Sequence, residues 1–238
     1  MNPNKIYFSS IPSTNLYIKE NLEKLNHGDV VITKNQTNGY GRFHREWFSN
    51  QDEGIAFSIL LKSQFGYEEL GKVCIITAVS IINILEKYSK NLSIKWPNDI
   101  LLNSKKLCGV LIETMLCSHS LAIVIGIGIN INNKKFPIDL SKKATSLCLE
   151  TNEVYEIDKI CSDIIEEIYN NINNQDETYA IIFNKYKEKS VIINKEIIYN
   201  NKKYIAHEID YNGSLVLIND NNERIVIESG EISLTNEY

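Results

Sequence analysis

The sequence predicts an α/β domain with a small β-barrel appended at its C-terminal end, and two observations carry that expectation. From residue 5 to about residue 189, segments of helical periodicity alternate with β-branched strand patterns. After residue 191 the character changes. The last 48 residues hold only short strand patterns, separated by the turn signals Asn200-Asn201, Asn212-Gly213, Asp220-Asn221-Asn222 and Ser229-Gly230. The division is therefore expected at 1–190 and 191–238, with no internal repeat and no flexible linker.

The elements follow in chain order. Residues 5–10 read as a short strand. Ser13 can cap a helix over 14–25, with Leu16, Ile18, Leu22 and Leu25 largely on one side. Residues 29–34 form a β-branched strand, and the polar, Gly-containing stretch 35–50 that follows cannot bury much. A strand is expected over 54–62 and a long, mostly apolar helix over 67–88. Strands follow at 93–96, 106–116 and 121–131. An amphipathic helix over 155–173 turns Ile157, Ile160, Cys161, Ile164, Ile165 and Ile168 inward, and a further helix runs to about Lys189.

Composition excludes classes without choosing one. The 238 residues carry a net charge of -5, so no basic face for nucleic acid is evident and DNA binding is not expected. No apolar run approaches the roughly 20 residues of a membrane span. The first residues, Met1-Asn2-Pro3-Asn4-Lys5, have no signal or transit character. The 38 Ile and 29 Asn are far above ordinary usage, but Asn is spread among strongly periodic apolar segments and reads as compositional bias, not low complexity. Five cysteines (Cys74, Cys108, Cys117, Cys148, Cys161) without a C-x-x-C, three of them inside apolar segments, read as reduced, buried thiols of a cytoplasmic protein. Four scattered histidines (His27, His44, His119, His207), without H-x-x-x-H or H-E-x-x-H spacing, give no expectation of a structural zinc site.

Four segments depart from what a core or an ordinary loop needs. In the first, Gln36 to Trp47, Gly39 and Gly41 free the backbone to approach a ligand, Arg42 and Arg45 offer fork-shaped donors to carboxylate or phosphate, and Trp47 can anchor the loop. Alone it reads as a solvated loop with two arginines, and no Gly-Lys-Ser/Thr follows to make it a P-loop. In the second, Lys95-Trp96-Pro97-Asn98-Asp99, polar groups gather at a strand end, although Asn-Asp is also ordinary turn chemistry. The third, Lys106 to Glu113, places Lys106, Cys108, Val110 and Ile112 on one face of a strand, so Lys106 either reaches an anion or snorkels to water.

The fourth segment, Gly126-Ile-Gly128-Ile-Asn130, is the most informative. Alternation puts Ile123, Ile125, Ile127, Ile129 and Ile131 on the core face, leaving Gly126, Gly128 and Asn130 on the other. Mid-strand glycines imply close approach of something flat: a ligand such as a purine, with Asn130 reading a base edge, or a tightly packed helix. A Rossmann fingerprint is excluded because the third glycine is missing and the segment is a strand. No Gly-x-Ser-x-Gly elbow occurs. The residues alone indicate an enzyme handling a nucleotide and a second anion.

With Ser13-Thr14-Asn15 before them and Gly230-Glu231-Ile232-Ser233-Leu234 after them, these motifs resemble, in order and spacing, the biotin–protein ligases (biotin–[acetyl-CoA-carboxylase] ligases), over nearly the whole chain. The resemblance implies an α+β fold: a mixed sheet with flanking helices, as in class II aminoacyl-tRNA synthetases, followed by an SH3-like barrel. It implies ATP and biotin as substrates, Mg²⁺ with the ATP, and a biotin carboxyl carrier domain as acceptor. Ser13, Thr14, Asn15 and Gln36 then face biotin, with Gly39 and Gly109 nearby. Lys106 contacts the biotin carboxylate and the α-phosphate. Gly41, Arg42, Arg45, Trp47, Asn98, Gly126 and Gly128 serve ATP or the adenylate, and Asn130 reads adenine. Asp99 serves near the acceptor lysine or the phosphates.

The family often has Arg where this chain has Tyr40, and Gly where it has His44. The helix-turn-helix of members that double as repressors is not expected here, and a homodimer is compatible with the sequence. The competing readings are a lipoate–protein ligase or octanoyltransferase of the same fold, and a non-catalytic biotin sensor or repressor. The Gln36–Trp47 loop is expected to be mobile until ligand binds.

Overall fold

The computed structural model describes residues 4–62, 66–117, 120–230 and 232–234. His119 and Glu231, both named above, lie outside them. Seven strands build a large sheet: β1 (Lys5–Phe8), β2 (Val30–Thr33), β3 (Gly54–Lys62), β4 (Leu92–Lys95), β5 (Asp99–Leu102), β6 (Lys105–Cys117) and β7 (Ser120–Asn130), in the order β1-β2-β3-β7-β6-β5-β4. Only β1 and β2 run parallel; every other neighbouring pair is antiparallel. The sheet is thus mixed and the fold α+β, so the α/β alternation read from periodicity gives way to hairpins through the centre of the sheet.

Two strand-and-helix assignments differ from the expectation. Strand β5 was not foreseen, because Asn98-Asp99 reads as a turn; Asp99 instead opens β5 and pairs with both Lys95 and Gly109. The first helix, α1, covers only Thr14–Glu20. Ser13 caps it, accepting from the Leu16 amide, and Asn21 ends it, its side chain donating to the Tyr17 carbonyl and so competing with the helical ladder. Leu22 and Leu25 remain buried beyond the helix end.

The two faces of the sheet are covered unequally. On one, α2 (Leu70–Leu85), α4 (Ile157–Asn173) and α5 (Gln175–Lys189) pack over a continuous apolar core. Ile157, Ile160, Cys161, Ile164, Ile165 and Ile168 of α4 all point into it, as their spacing predicts. On the other, α1 and the turn after it cover only one end, packing Ile18 and Leu22 on Val31, Leu60, Ala122 and Val124. A short helix α3 (Leu147–Thr151) follows β7.

The C-terminal strands β8 (Glu196–Tyr199), β9 (Lys202–Ile209), β10 (Leu215–Ile218), β11 (Arg224–Ile227) and β12 (Ser233–Leu234) form a second sheet in the order β11-β10-β9-β8-β12, all antiparallel. Its turns fall at the expected residues. Asn200 and Asn201 both take positive φ between β8 and β9, the backbone of a two-residue hairpin whose twist suits the flanking strands. Trp96 ties this sheet to the first: its indole N–H donates to the Gly213 carbonyl at 2.9 Å. Among the described residues, no helix is long and apolar enough to cross a membrane.

Candidate active site

The uncovered end of the large sheet is made of cross-strand rows. In register, Ala56 on β3, Gly128 on β7 and Gly109 on β6 form one row, and Ser58, Gly126 and Leu111 form the next. The first row has no side chain longer than a methyl group, so it is a trough. A Cβ at Gly128 would collide with the Trp47 indole, and one at Gly109 would lie 3.2 Å from it. A Cβ at Gly126 would collide with the Asn15 amide. The flat group on the glycine floor is therefore the chain's own indole, with an amide beside it. In this fold Trp47 and Asn15 take up the space the glycines leave.

Above this floor lies a cleft of about 190 Å³. Of the residues singled out from the sequence, Ser13, Thr14, Asn15, Gln36, Gly41, Arg42, Arg45, Trp47, Asn98, Asp99, Lys106, Gly109, Gly126 and Gly128 line it. Gly39 is buried beneath the loop, its carbonyl accepting from the Trp47 amide.

Asn130 ends the same strand. It is buried, with its amide donating to the Thr145 carbonyl at 3.1 Å, and it is not among the cleft-lining residues. The cause is the chain at 143–145, which docks against the end of β6: the Lys106 amide donates to the Lys143 carbonyl and the Thr145 amide to the Lys106 carbonyl.

At one end of the cleft the groups are neutral and mutually satisfied. Gln36 Oε1 accepts from the Thr14 amide at 2.9 Å and from its hydroxyl at 3.2 Å. Ser58, fully buried, is within hydrogen-bond distance of the Thr14 hydroxyl (2.6 Å) and Asn15 Oδ1 (2.5 Å). Buried hydroxyls need such partners, since each one orphaned costs about 1–3 kcal/mol. Ser58 was missed from the sequence; a lone hydroxyl inside an otherwise apolar strand was its signal.

At the other end the charges gather. A β-bulge in β6 carries Lys106 to the cleft face: Ile100 pairs with Cys108 but Leu101 pairs with Lys106. Leu107 and Cys108 are both fully buried. The expectation that Lys106 shares a face with Cys108 is thus overturned, because one extra residue reverses the alternation. Lys106 Nζ stands 2.8 Å from Asp99 Oδ1 and 5.6 Å above the Trp47 ring. Arg42 donates to Asn98 Oδ1 at 3.1 Å and to the Gly230 carbonyl, on the second sheet's side, at 2.6 Å. Asn98 donates to the Val110 carbonyl, and the preceding Pro97 carbonyl is held by Tyr186 of α5 and Cys74 of α2. The β4–β5 turn is therefore positioned by the helical side of the molecule.

The loop itself is a narrow hairpin, Gly41 N–H donating to the Arg45 carbonyl and Tyr40 bridging Glu46. Between them Phe43 and His44 both adopt left-handed backbone, φ 56° and 55°, a conformation costly for residues with a Cβ. His44 stands where the resembling family often has glycine. The loop also reaches Glu113, which the sequence reading quoted without a role: its carboxylate accepts from Tyr40, Asn15 and Lys19.

A glycine-floored trough roofed by a two-arginine loop, with a paired lysine and carboxylate at the strand end, defines a class of site: one built to hold an anion. The family model described as "Biotin/lipoate A/B protein ligase family" matches residues 7–130, and the chain belongs to that family. It is similar to the biotin protein ligase of Aquifex aeolicus solved in complex with biotin and ATP, with a TM-score of 0.83 and 27% identity, covering 97% of this chain and 98% of that one. It is 26% identical to the bifunctional ligase/repressor BirA of Escherichia coli over 94% of this chain and 72% of that protein. The BirA of Bacillus spizizenii is 35% identical over 130 residues, which are 53% of this chain and only 40% of that protein.

Proposed function

We propose that this protein is a biotin–[acetyl-CoA-carboxylase] ligase that activates biotin with MgATP and transfers it to a lysine of a biotin carboxyl carrier domain. The observation that carries the reading is the convergence of Lys106, Arg42 and Arg45 on the charged end of a cleft whose other end is lined by Thr14, Asn15 and Gln36. In the first step a biotin carboxylate oxygen attacks the α-phosphorus of ATP, the bond to the β-phosphate oxygen breaks, and pyrophosphate leaves. The nucleophile is already an anion, so the step needs cations to offset repulsion and developing charge, not a base. In the second step the carrier lysine nitrogen attacks the acyl carbon, the acyl–phosphate bond breaks, AMP leaves and the amine loses a proton.

In this reading Lys106 contacts the biotin carboxylate and α-phosphate, and Arg42 and Arg45 hold the phosphates. Ser13, Thr14 and Gln36 bind the biotin head, and Gly39 and Gly41 let the loop close over the mixed anhydride and exclude water. Asp99 holds Lys106 in place before it serves the acceptor lysine, and Asn130 reads adenine, its amide steadied by the Thr145 carbonyl. Magnesium enters with ATP, held chiefly by phosphates; among the described residues, Asp99 and Glu46 are the carboxylates lining the cleft. Residues 1–190 form the catalytic unit and 191–238 the SH3-like one. A cytoplasmic setting is supported by Cys74, Cys108, Cys148 and Cys161, which are free thiols.

The test is biotin-dependent ATP–pyrophosphate exchange, followed by the intact mass of a carrier domain incubated with enzyme, biotin and MgATP. Lys106→Ala is expected to lower exchange by about 10²-fold or more, as removal of one group stabilising developing charge does. Undiminished exchange would overturn the role given to Lys106. A carrier modified with lipoate but not biotin would replace the reading with that of a lipoate ligase.

A further inference from the structure

Glu113 stands where three parts of the molecule meet. It lies on β6, one row beyond Leu111, with its side chain only 24% exposed. Oε1 accepts from Lys19 of α1 at 2.8 Å; Oε2 accepts from Asn15 of α1 at 2.8 Å and from the Tyr40 hydroxyl at 3.1 Å. Lys19 Nζ also lies 5.5 Å from the centre of the Tyr40 ring, and the other edge of that ring packs near His44. Burial pushes the Glu113 carboxyl up, but the bonds from Lys19 and Asn15, the Lys19 charge and the Tyr40 hydroxyl outweigh it, and the net shift is downward. The group is a carboxylate with every contact drawn towards it.

Tyr40 belongs to the loop that carries Arg42, Arg45 and Trp47. The loop is thus fastened on two sides of the cleft: by Arg42 to Asn98 and Gly230, and by Tyr40 to Glu113. The second fastening is coupled to the neutral end of the cleft, because the same Glu113 oxygen that receives Tyr40 also receives Asn15, whose own Oδ1 accepts from Ser58. The cleft of about 190 Å³ lies directly under this loop, so the loop's position sets how far the cleft is open. Opening the loop breaks the Tyr40–Glu113 contact, and closing it remakes that contact.

We propose that the Tyr40–Glu113–Lys19 clasp sets the closed position of the Gly39–Trp47 loop, and with it the residence of the acyl-adenylate, making Tyr40 and Glu113 positioning residues of the reaction. The inference rests on the ligase reading for its chemical consequence, but not for the motion. Tyr40→Phe keeps the ring and removes the hydroxyl; Glu113→Gln keeps the shape and removes the charge.

Hydrogen exchange of the amides in 37–47, measured without substrates, is expected to speed up about fivefold in Tyr40→Phe, the size of one ordinary net hydrogen bond. Release of biotinoyl-AMP into solution without carrier is expected to rise by a similar factor, with the thermal midpoint unchanged. The double variant is expected to be no worse than Glu113→Gln alone, since both act through one contact. Loop exchange and adenylate release at wild-type rates in Tyr40→Phe would overturn the clasp. A wild-type enzyme that makes no adenylate at all would sink the ligase reading instead, leaving the exchange measurement to decide the clasp.

Discussion

Along β7 the two faces of the large sheet are built from opposite materials. Ile123, Ile125, Ile127 and Ile129 face the helices, each at most 2% exposed. Their neighbours Val124, Gly126, Gly128 and Asn130 face the other way, and from the second of them on the strand supplies almost no side chain of its own. On the isoleucine face the strand fills its own space. On the glycine face it cedes space to Asn15 and Trp47, which arrive from α1 and from the loop. Burying hydrocarbon is non-directional and tolerates any well-filled arrangement, whereas the cleft needs specific donors at specific places. Distant segments can deliver those only where the sheet makes room.

The contrast predicts two unequal responses. Ile127→Ala removes three carbons from a close-packed region and is expected to lower unfolding free energy by about 2–5 kcal/mol, measured by urea denaturation, with the cleft unchanged in the protein that remains folded. A cost below 0.5 kcal/mol would mean the isoleucine face is not packed as described. Gly128→Ala adds a single carbon and is expected to cost less, about 1–3 kcal/mol, yet to disturb the site more. The new methyl displaces the Trp47 indole, so tryptophan emission shifts to the red. Trp96, the only other tryptophan, is 2% exposed and its indole is held by the Gly213 carbonyl, so the shift reports on Trp47. Unaltered emission and stability would show that the trough has slack the glycine does not explain.

How far the sequence revealed these faces follows from the range of the interactions involved. The isoleucine face is legible because period-two alternation is local, and the α4 stripe because its period is near 3.6. The glycines mark the trough, but not its contents. Asn15 sits 98 residues from the Glu113 that holds it, and Tyr40 73 residues from the same carboxylate. Nothing in a local window joins them. Lys106 is the sharpest case. Alternation alone sends it to the core face, and what reverses it is a bulge opposite Leu101, beside the chain at 143–145. Strand β5 escaped for a related reason: at four residues, opening on Asn-Asp, it carries more turn chemistry than strand pattern, and its place comes from pairing with β4 and β6.

Each face also carries a partly buried carboxylate that joins a helix to its neighbour through lysine, Glu113 on one and Glu86 on the other, and the pair sharpens the comparison at its smallest scale. Glu113 ties α1 to the loop that carries Tyr40. Glu86, just past α2, ties α2 to α5 on the helical side, accepting from Lys185 at 2.6 Å and Lys189 at 2.7 Å, while Lys185 also donates to Asn83. Burial pushes the Glu86 carboxyl up, but the two lysine bonds outweigh it and hold it below its ordinary 4.5. A carboxyl lowered by folding contributes stability that is complete above 4.5 and is lost as the pH falls through the lowered folded value.

Glu86→Gln is therefore expected to be less stable than the wild type at pH 7 by about 0.2–1 kcal/mol, the range for partly exposed ion pairs. The gap should narrow below pH 4.5, read from urea midpoints at pH 7 and pH 3.5. Glu113→Gln should show the same narrowing in loop hydrogen exchange and little of it in global unfolding, because its ties hold a segment and not two core helices. A gap for Glu86→Gln that stays constant down to pH 3.5 would mean that the lysines contribute through packing of their stems, not through charge.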